Sequence, residues 1–218
     1  MSTKTLTVQL HGYWHCGSGH SAGTHLDALT ARDRDGLPVI PGRHLKGLLR
    51  HAMRCAGTWN WFDGVTLPDG PAGNVEELLF GSRSGQEARS ATRPGMLQVD
   101  DATLPEPERA FLAHPDTDGP QLRPFLFRDV HRTAINRQGS ASDKTLRGTE
   151  VALPMQLQTP LGLEVTSLEE ELRRQQQRAL DEADLWSTLE GVLPLISAVG
   201  AERNRGLGEA ELSLRDPS

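Results

Sequence analysis

Residues 36–50 read GLPVIPGRHLKGLLR, and the helix that opens after Pro41-Gly42 decides the fold. Its apolar positions Leu45, Leu48, Leu49, Ala52, Met53 and Ala56 follow the i, i+3, i+4, i+7 spacing of one helical stripe. Lys46, Arg50 and Arg54 recur on the opposite side, so the stretch predicts an amphipathic helix with a basic face. A start at Pro-Gly leaves the first N–H groups without intrahelical partners. The positive end of the helix dipole then lies beside Arg43, His44 and Lys46, a combination suited to phosphate. The ordinary reading of such a face is solvated surface, and only its context favours an anion.

Outward from this helix the periods change. Residues 3–10 alternate, with Leu6, Val8 and Leu10 on one side, the pattern of a half-buried strand. Residues 11–23 are rich in Gly, Ser and His and read as a loop. Asn74 followed by Glu77 predicts a capped short helix ending near Phe80, and residues 95–100 predict a strand. Residues 102–122, with four prolines, read as loop. The basic segment 123–147 has a Gly-Ser-Ala-Ser centre able to turn a projecting hairpin. Residues 149–158 alternate as a strand whose Pro154 favours an edge or a bulge. Ser167 with Glu170 gives a capping-box signal for helical sequence running towards Val199, with a break at 181–184, and residues 209–214 close the chain with a strand. This order predicts an α+β fold with helices on one face of an antiparallel sheet.

Composition bounds the function. The 218 residues suffice for one domain, and no run of about 18 apolar residues or basic-then-apolar leader is present, so a cytoplasmic protein without membrane contact is expected. Cys16 and Cys55 make no disulfide framework. The net charge of −6 argues against a polyanion partner until its distribution is seen. Residues 1–54 carry seven basic and three acidic side chains, residues 121–150 six and three, whereas residues 55–120 carry four and eleven. Two basic stretches in an acidic body are compatible with one polyanion-binding face.

Four constellations carry candidate chemistry. Gly19-His20-Ser21-Ala22-Gly23 matches the serine nucleophile turn, but a serine this near the start lacks the strand and helix context that the turn requires. His11, His15, Cys16, His20 and His25 are zinc-ligand types whose spacing matches no standard finger. Gly200, Gly206 and Gly208 enclose Arg203 and Arg205, a loop where backbone can approach a ligand while guanidinium groups fork onto phosphate. Asp27, Asp33 and Asp35 are the only acids of the first 54 residues. The bland role of such a carboxylate is a salt-bridge partner; the sharper one for Asp27 is a general base, or a ligand of hydrated Mg²⁺ at a phosphodiester.

The stretch Gly36 to Arg50 resembles the IPGSSLKGxxR signature of the RAMP superfamily, RNA-binding proteins of CRISPR systems. Residues 200–208 (GAERNRGLG) are similar to that superfamily's C-terminal glycine-rich loop. Leu79-Phe80-Gly81 leading to residues 95–102, and Ile135-Asn136-Arg137 leading to residues 146–150, agree in family order. One departure is that Arg43 and His44 stand where two serines are usual. Asp27 to Asp33 (DALTARD), with the chain length, looks most like the repeated backbone subunit of type III effector complexes.

That resemblance implies a modified ferredoxin-like or RNA-recognition-motif core with a projecting thumb hairpin and a C-terminal glycine-rich loop, in one domain over 1–218. The core would take about 3–56, 95–101 and 148–214, the insertions about 57–94 and 102–122, and the thumb about 123–147. It implies guide CRISPR RNA, target RNA, further copies or paralogous backbone subunits and other effector subunits as partners. Asp27 is the implied catalytic position, cutting paired target RNA with a transient divalent metal such as Mg. The expected RNA-binding set is Arg43, His44, Lys46, Arg50, Arg54, Arg132, Arg137, Arg147, Arg203, Arg205 and Gly206. Ten aromatic residues in 218 and no aromatic RNP signature point away from base stacking and towards grip on the sugar-phosphate chain. The alternatives are a non-catalytic scaffold or capping subunit, and a repeat-processing endoribonuclease using histidines such as His15 or His20.

Overall fold

A computed structural model describes residues 2–19, 26–62, 64–82, 92–134, 137–140, 142 and 145–217. The sheet contains β1 (Ser2–Leu10), β2 (Leu97–Val99), β5 (Gln156–Leu163) and β6 (Ala210–Arg215), in the order β2-β5-β1-β6 with every neighbour antiparallel. Helix α1 (Gly42–Thr58) connects β1 to β2 while β5 lies between them, and β6 closes the other edge. This is the ferredoxin-like arrangement expected above.

The core follows from the periods. On β1 the alternating Leu6, Val8 and Leu10 are buried, and so are Leu157, Leu161 and Leu163 of β5. Helix α1 buries Leu45, Leu48, Leu49, Ala52, Met53 and Ala56, the stripe read from the sequence. Each fully buried leucine contributes about 1.5–3 kcal/mol. The short helix α2 (Val75–Phe80) starts at Asn74, whose side chain accepts from Glu77 N at 2.9 Å, as predicted.

Three expectations change. Residues 102–122 contain helices α3 (Glu106–Ala113) and α4 (Gly119–Leu122), because Pro105, Pro107 and Pro120 stand at helix starts, where a missing N–H costs nothing. The alternating stretch 149–158 is two strands: β4 (Arg147–Ala152) ends before Pro154, and β5 begins after it in the other sheet. Helix α5 (Glu170–Glu182) starts from Glu169 with no side-chain cap. Ser167 Oγ instead accepts from Glu169 N at 3.1 Å, and the buried Gln176 side chain accepts from Thr166 N and Ser167 N. The break at 181–184 is present: α6 (Leu185–Val192) opens at Asp184, which caps Ser187 N, and a 3-10 turn ends the helical run at Leu195.

The segment 123–147 supplies the first arm of a two-stranded sheet. Strand β3 (Phe127–Arg132) pairs antiparallel with β4, from Phe127 opposite Ala152 to Arg132 opposite Arg147. Among the described residues no helix is long and apolar enough to cross a membrane.

Candidate nucleic-acid interface

Asp27 sits on a strap beside the hairpin. Residue Ala28 bridges Thr149 of β4 in parallel, so the strap runs as an extra strand. Asp27 N donates to Gly148 O at 2.8 Å, and Gly148 N donates back to Asp27 Oδ2 at 2.9 Å. Arg147 Nη1 donates to Asp27 Oδ1 at 3.2 Å. The Gly148 amide first, then the Arg147 guanidinium, hold the Asp27 carboxyl below the usual carboxylate range. Its side chain is 47% exposed, so an ionised carboxylate faces solvent beside the loop end of the β3–β4 ladder.

Across that end of the ladder lies the glycine-rich loop. Arg132 and Arg147 are register partners, so their side chains leave the same face of the ladder. Arg132 forms an ion pair with Glu202, which also lies 3.7 Å from Arg205. Glu202 has a left-handed backbone, φ 55°, a conformation that costs a non-glycine residue about 1 kcal/mol and persists where contacts hold it. Gly200 N donates to His44 Nε2 at 2.9 Å, Ala201 N donates to His15 O at 2.7 Å, and Gly208 N donates to Tyr13 O at 2.8 Å. Gly200 and Gly208 have positive φ, and a Cβ on either would overlap the backbone of His15 or Val199. Arg203 and Arg205 remain exposed around Gly206. Burial, and secondarily Arg203, pull the His44 imidazole below its ordinary range.

The basic face of α1 differs from its sequence reading. Arg50 donates to Glu76 Oε1 at 2.9 Å and to Gly81 O at 2.8 Å, and Arg54 Nη2 donates to Glu76 Oε1 at 2.9 Å. Lys46 Nζ donates to Leu97 O at 2.6 Å. Lys46, Arg50 and Arg54, expected to contact RNA, are thus engaged within the chain, two by a carboxylate of α2 and one by β2. The start of α1 is not open either: Asp101 Oδ1 accepts from Gly42 N at 2.7 Å, occupying the place where the sequence put phosphate. Arg43 beside it is exposed, and so is Arg137 near the hairpin tip.

The zinc reading finds no support among the described residues, where no group of three or more His, Cys, Asp or Glu forms. Burial pushes the Cys16 thiol up to about 12, which disfavours the thiolate that a metal needs. His15 is buried, with Nδ1 at 2.7 Å from Glu150 O and 3.2 Å from Thr30 Oγ1. His20 and His25, residues 20–23 of the serine-turn match, and Ile135-Asn136 lie outside the described residues. Sequence reasoning missed Glu76, Glu150 and Glu202, which orient cations, and Asp101, which caps α1 through Gly42 N; Asp101, Glu150 and Glu202 stood inside quoted motifs, but nothing in the string marks their partners.

The arrangement has parallels. A family model described as "RAMP superfamily" matches residues 7–211. No curated protein matches the chain. Among solved structures, a chain of "Type III-B Cmr-beta bound to cognate target RNA" is similar with a TM-score of 0.65 and 12% identity, covering 98% of this chain and 97% of that one. A chain from the apo state of type III-B Cmr-beta gives a TM-score of 0.61 and 11% identity, with the same 98% and 97% coverage. At that identity the likeness speaks for the fold. The match over 7–211, together with a ferredoxin-like sheet whose glycine-rich loop closes on the start of α1, places this chain in the RAMP superfamily.

Proposed function

We propose that the chain is a backbone subunit of a type III CRISPR effector complex, one that holds guide RNA by its sugar-phosphate chain and cuts paired target RNA at Asp27. One observation carries this reading: the register pair Arg132 and Arg147 ties the glycine-rich loop and Asp27 to one face of the β3–β4 ladder at its loop end. On that reading the hairpin with its tip is the thumb, and exposed Arg43, Arg137, Arg203 and Arg205 supply the phosphate contacts. Such contacts are blind to sequence, as suits a guide read by pairing. Guide RNA, target RNA, further copies and other subunits would be the partners.

Asp27 is kept ionised, and its two oxygens each accept one hydrogen bond, which leaves lone pairs for a proton or for one contact to a hydrated ion. A single carboxylate fits Mg²⁺ only where RNA phosphates and waters complete the shell. Bound there, the ion would supply charge stabilisation at the phosphodiester. For the repeat-processing alternative, which would use His15 or His20 as acid and base, His15 is buried behind Thr30 and Glu150, and His20 lies outside the described residues.

The test uses the assembled complex with guide and labelled target. Asp27→Asn should slow cutting by roughly 100-fold or more while the guide stays bound. Cutting at unchanged positions and rate would overturn the catalytic assignment and leave a scaffold subunit. A purified complex in which this chain crosslinks to no RNA would overturn the binding assignment.

A further inference from the structure

Glu150 is the one acid among the buried residues described, at 6% exposure. Burying a carboxylate is costly unless its bonds return the loss, and an apolar side chain would often serve stability as well. Apart from the His15 ring, which lies 2.7 Å from its O, the partners of Glu150 off the hairpin belong to one segment. Its N donates to Ala28 O at 2.9 Å, and its O accepts from Thr30 Oγ1 at 2.7 Å. Its Oε1 accepts from Thr30 N at 3.1 Å, and its Oε2 accepts from Arg32 Nη2 at 2.7 Å. The Arg32 guanidinium in turn lies 3.8 Å over the Phe127 ring of β3. Residues 28, 30 and 32 of the strap are therefore all fastened through one side chain and its backbone, just after Asp27.

Resting on the reading of Asp27 given above, we propose that Glu150 is a positioning residue for target cutting, setting the strap on the hairpin so that the Asp27 carboxylate meets the scissile ribose-phosphate. The clasp at Asp27 itself is short and exposed. Gly148 and Arg147 fix the carboxylate relative to β4 only while the strap stays in register; Ser18 N and Cys16 O bond Leu29 O and Ala31 N on one side of the strap, and Glu150 holds it from β4 on the other. A displacement of about 1 Å at a reacting group costs on the order of 100-fold in rate. Glu150 is buried with both carboxylate oxygens engaged, so its influence passes through Thr30, Arg32 and the strap backbone.

Glu150→Gln keeps the volume and an acceptor for Thr30 N but loses the charge that holds Arg32. In the assembled complex it should slow single-turnover cutting roughly 10- to 100-fold with guide and target affinity unchanged. Arg32→Gln, which removes the same ion pair from its exposed side, should reproduce the loss and serves if Glu150→Gln fails to assemble. In an Asp27→Asn background neither substitution should slow the residual cutting further, because the group they position is gone. A separate readout is the Asp27 titration in the full chain by NMR, which should move up towards the ordinary carboxylate value as the Gly148 bond loosens. Unchanged cutting in both variants, or a slowing that multiplies in full onto the Asp27→Asn residue, overturns the proposal while the role of Asp27 stands. If Asp27→Asn itself leaves cutting intact, the reading beneath it falls instead.

Discussion

Arg132 and Arg147 face each other across the last pair of the β3–β4 hairpin, and each guanidinium is held by a carboxylate from a different segment, Arg132 by Glu202 and Arg147 by Asp27. Two stretches about 175 residues apart are thereby brought to one end of a two-stranded ladder. Neither acid belongs to the hairpin, so the loop end of its ladder is defined by what docks on it.

The Arg132 to Glu202 pair is the tether of the glycine-rich loop to that end of the ladder, with both side chains 29% exposed. Arg132→Ala should lower stability by about 1 kcal/mol in urea unfolding. It should also raise hydrogen exchange at the Ala201 and Gly208 amides, which bond to His15 O and Tyr13 O. Unchanged exchange at both amides would show that the loop is held without the pair.

Guide affinity and its salt dependence separate the cations that face solvent from those already engaged. Arg43→Ala and Arg203→Ala should each weaken guide binding and reduce the slope of log K against log salt by about 1. Arg50 is bound by Glu76 and Gly81 O, so Arg50→Ala should leave that slope unchanged and cost about 1–2 kcal/mol of stability. A reduced slope in the Arg50 variant would show that Glu76 releases it to RNA.

Stability should decline on mild acidification. Burial holds both His15 and His44 below the ordinary imidazole value of 6.5, helped by Arg132 at His15 and Arg203 at His44 and opposed at His15 by Glu150. An imidazole with a depressed folded value binds fewer protons folded than unfolded, so its contribution is complete above 6.5 and is lost as pH falls below it towards the folded value. The melting temperature should therefore drop between about pH 7.5 and about pH 5.5, and a His15→Gln, His44→Gln double variant should flatten the drop. An equally steep drop in that variant would assign the acid sensitivity to other groups.

Local patterns carried much of this protein. The stripe of α1, the alternation of β1 and the Asn74 cap depend on neighbours within a few residues, and the sequence alone determined them, along with the signature around Gly36 to Arg50 and the glycine-rich loop. Prolines misled at 102–122, since the same residue breaks a helix inside and opens one at its first turn. The fate of the charges was decided only in three dimensions. Glu76 neutralises Arg50 and Arg54, Asp101 closes the start of α1, and Glu202 and Asp27 sort the two hairpin arginines. A helical or strand period records which side of an element is apolar, whereas an ion pair depends on which distant segment folds against it, and no spacing along the chain encodes that.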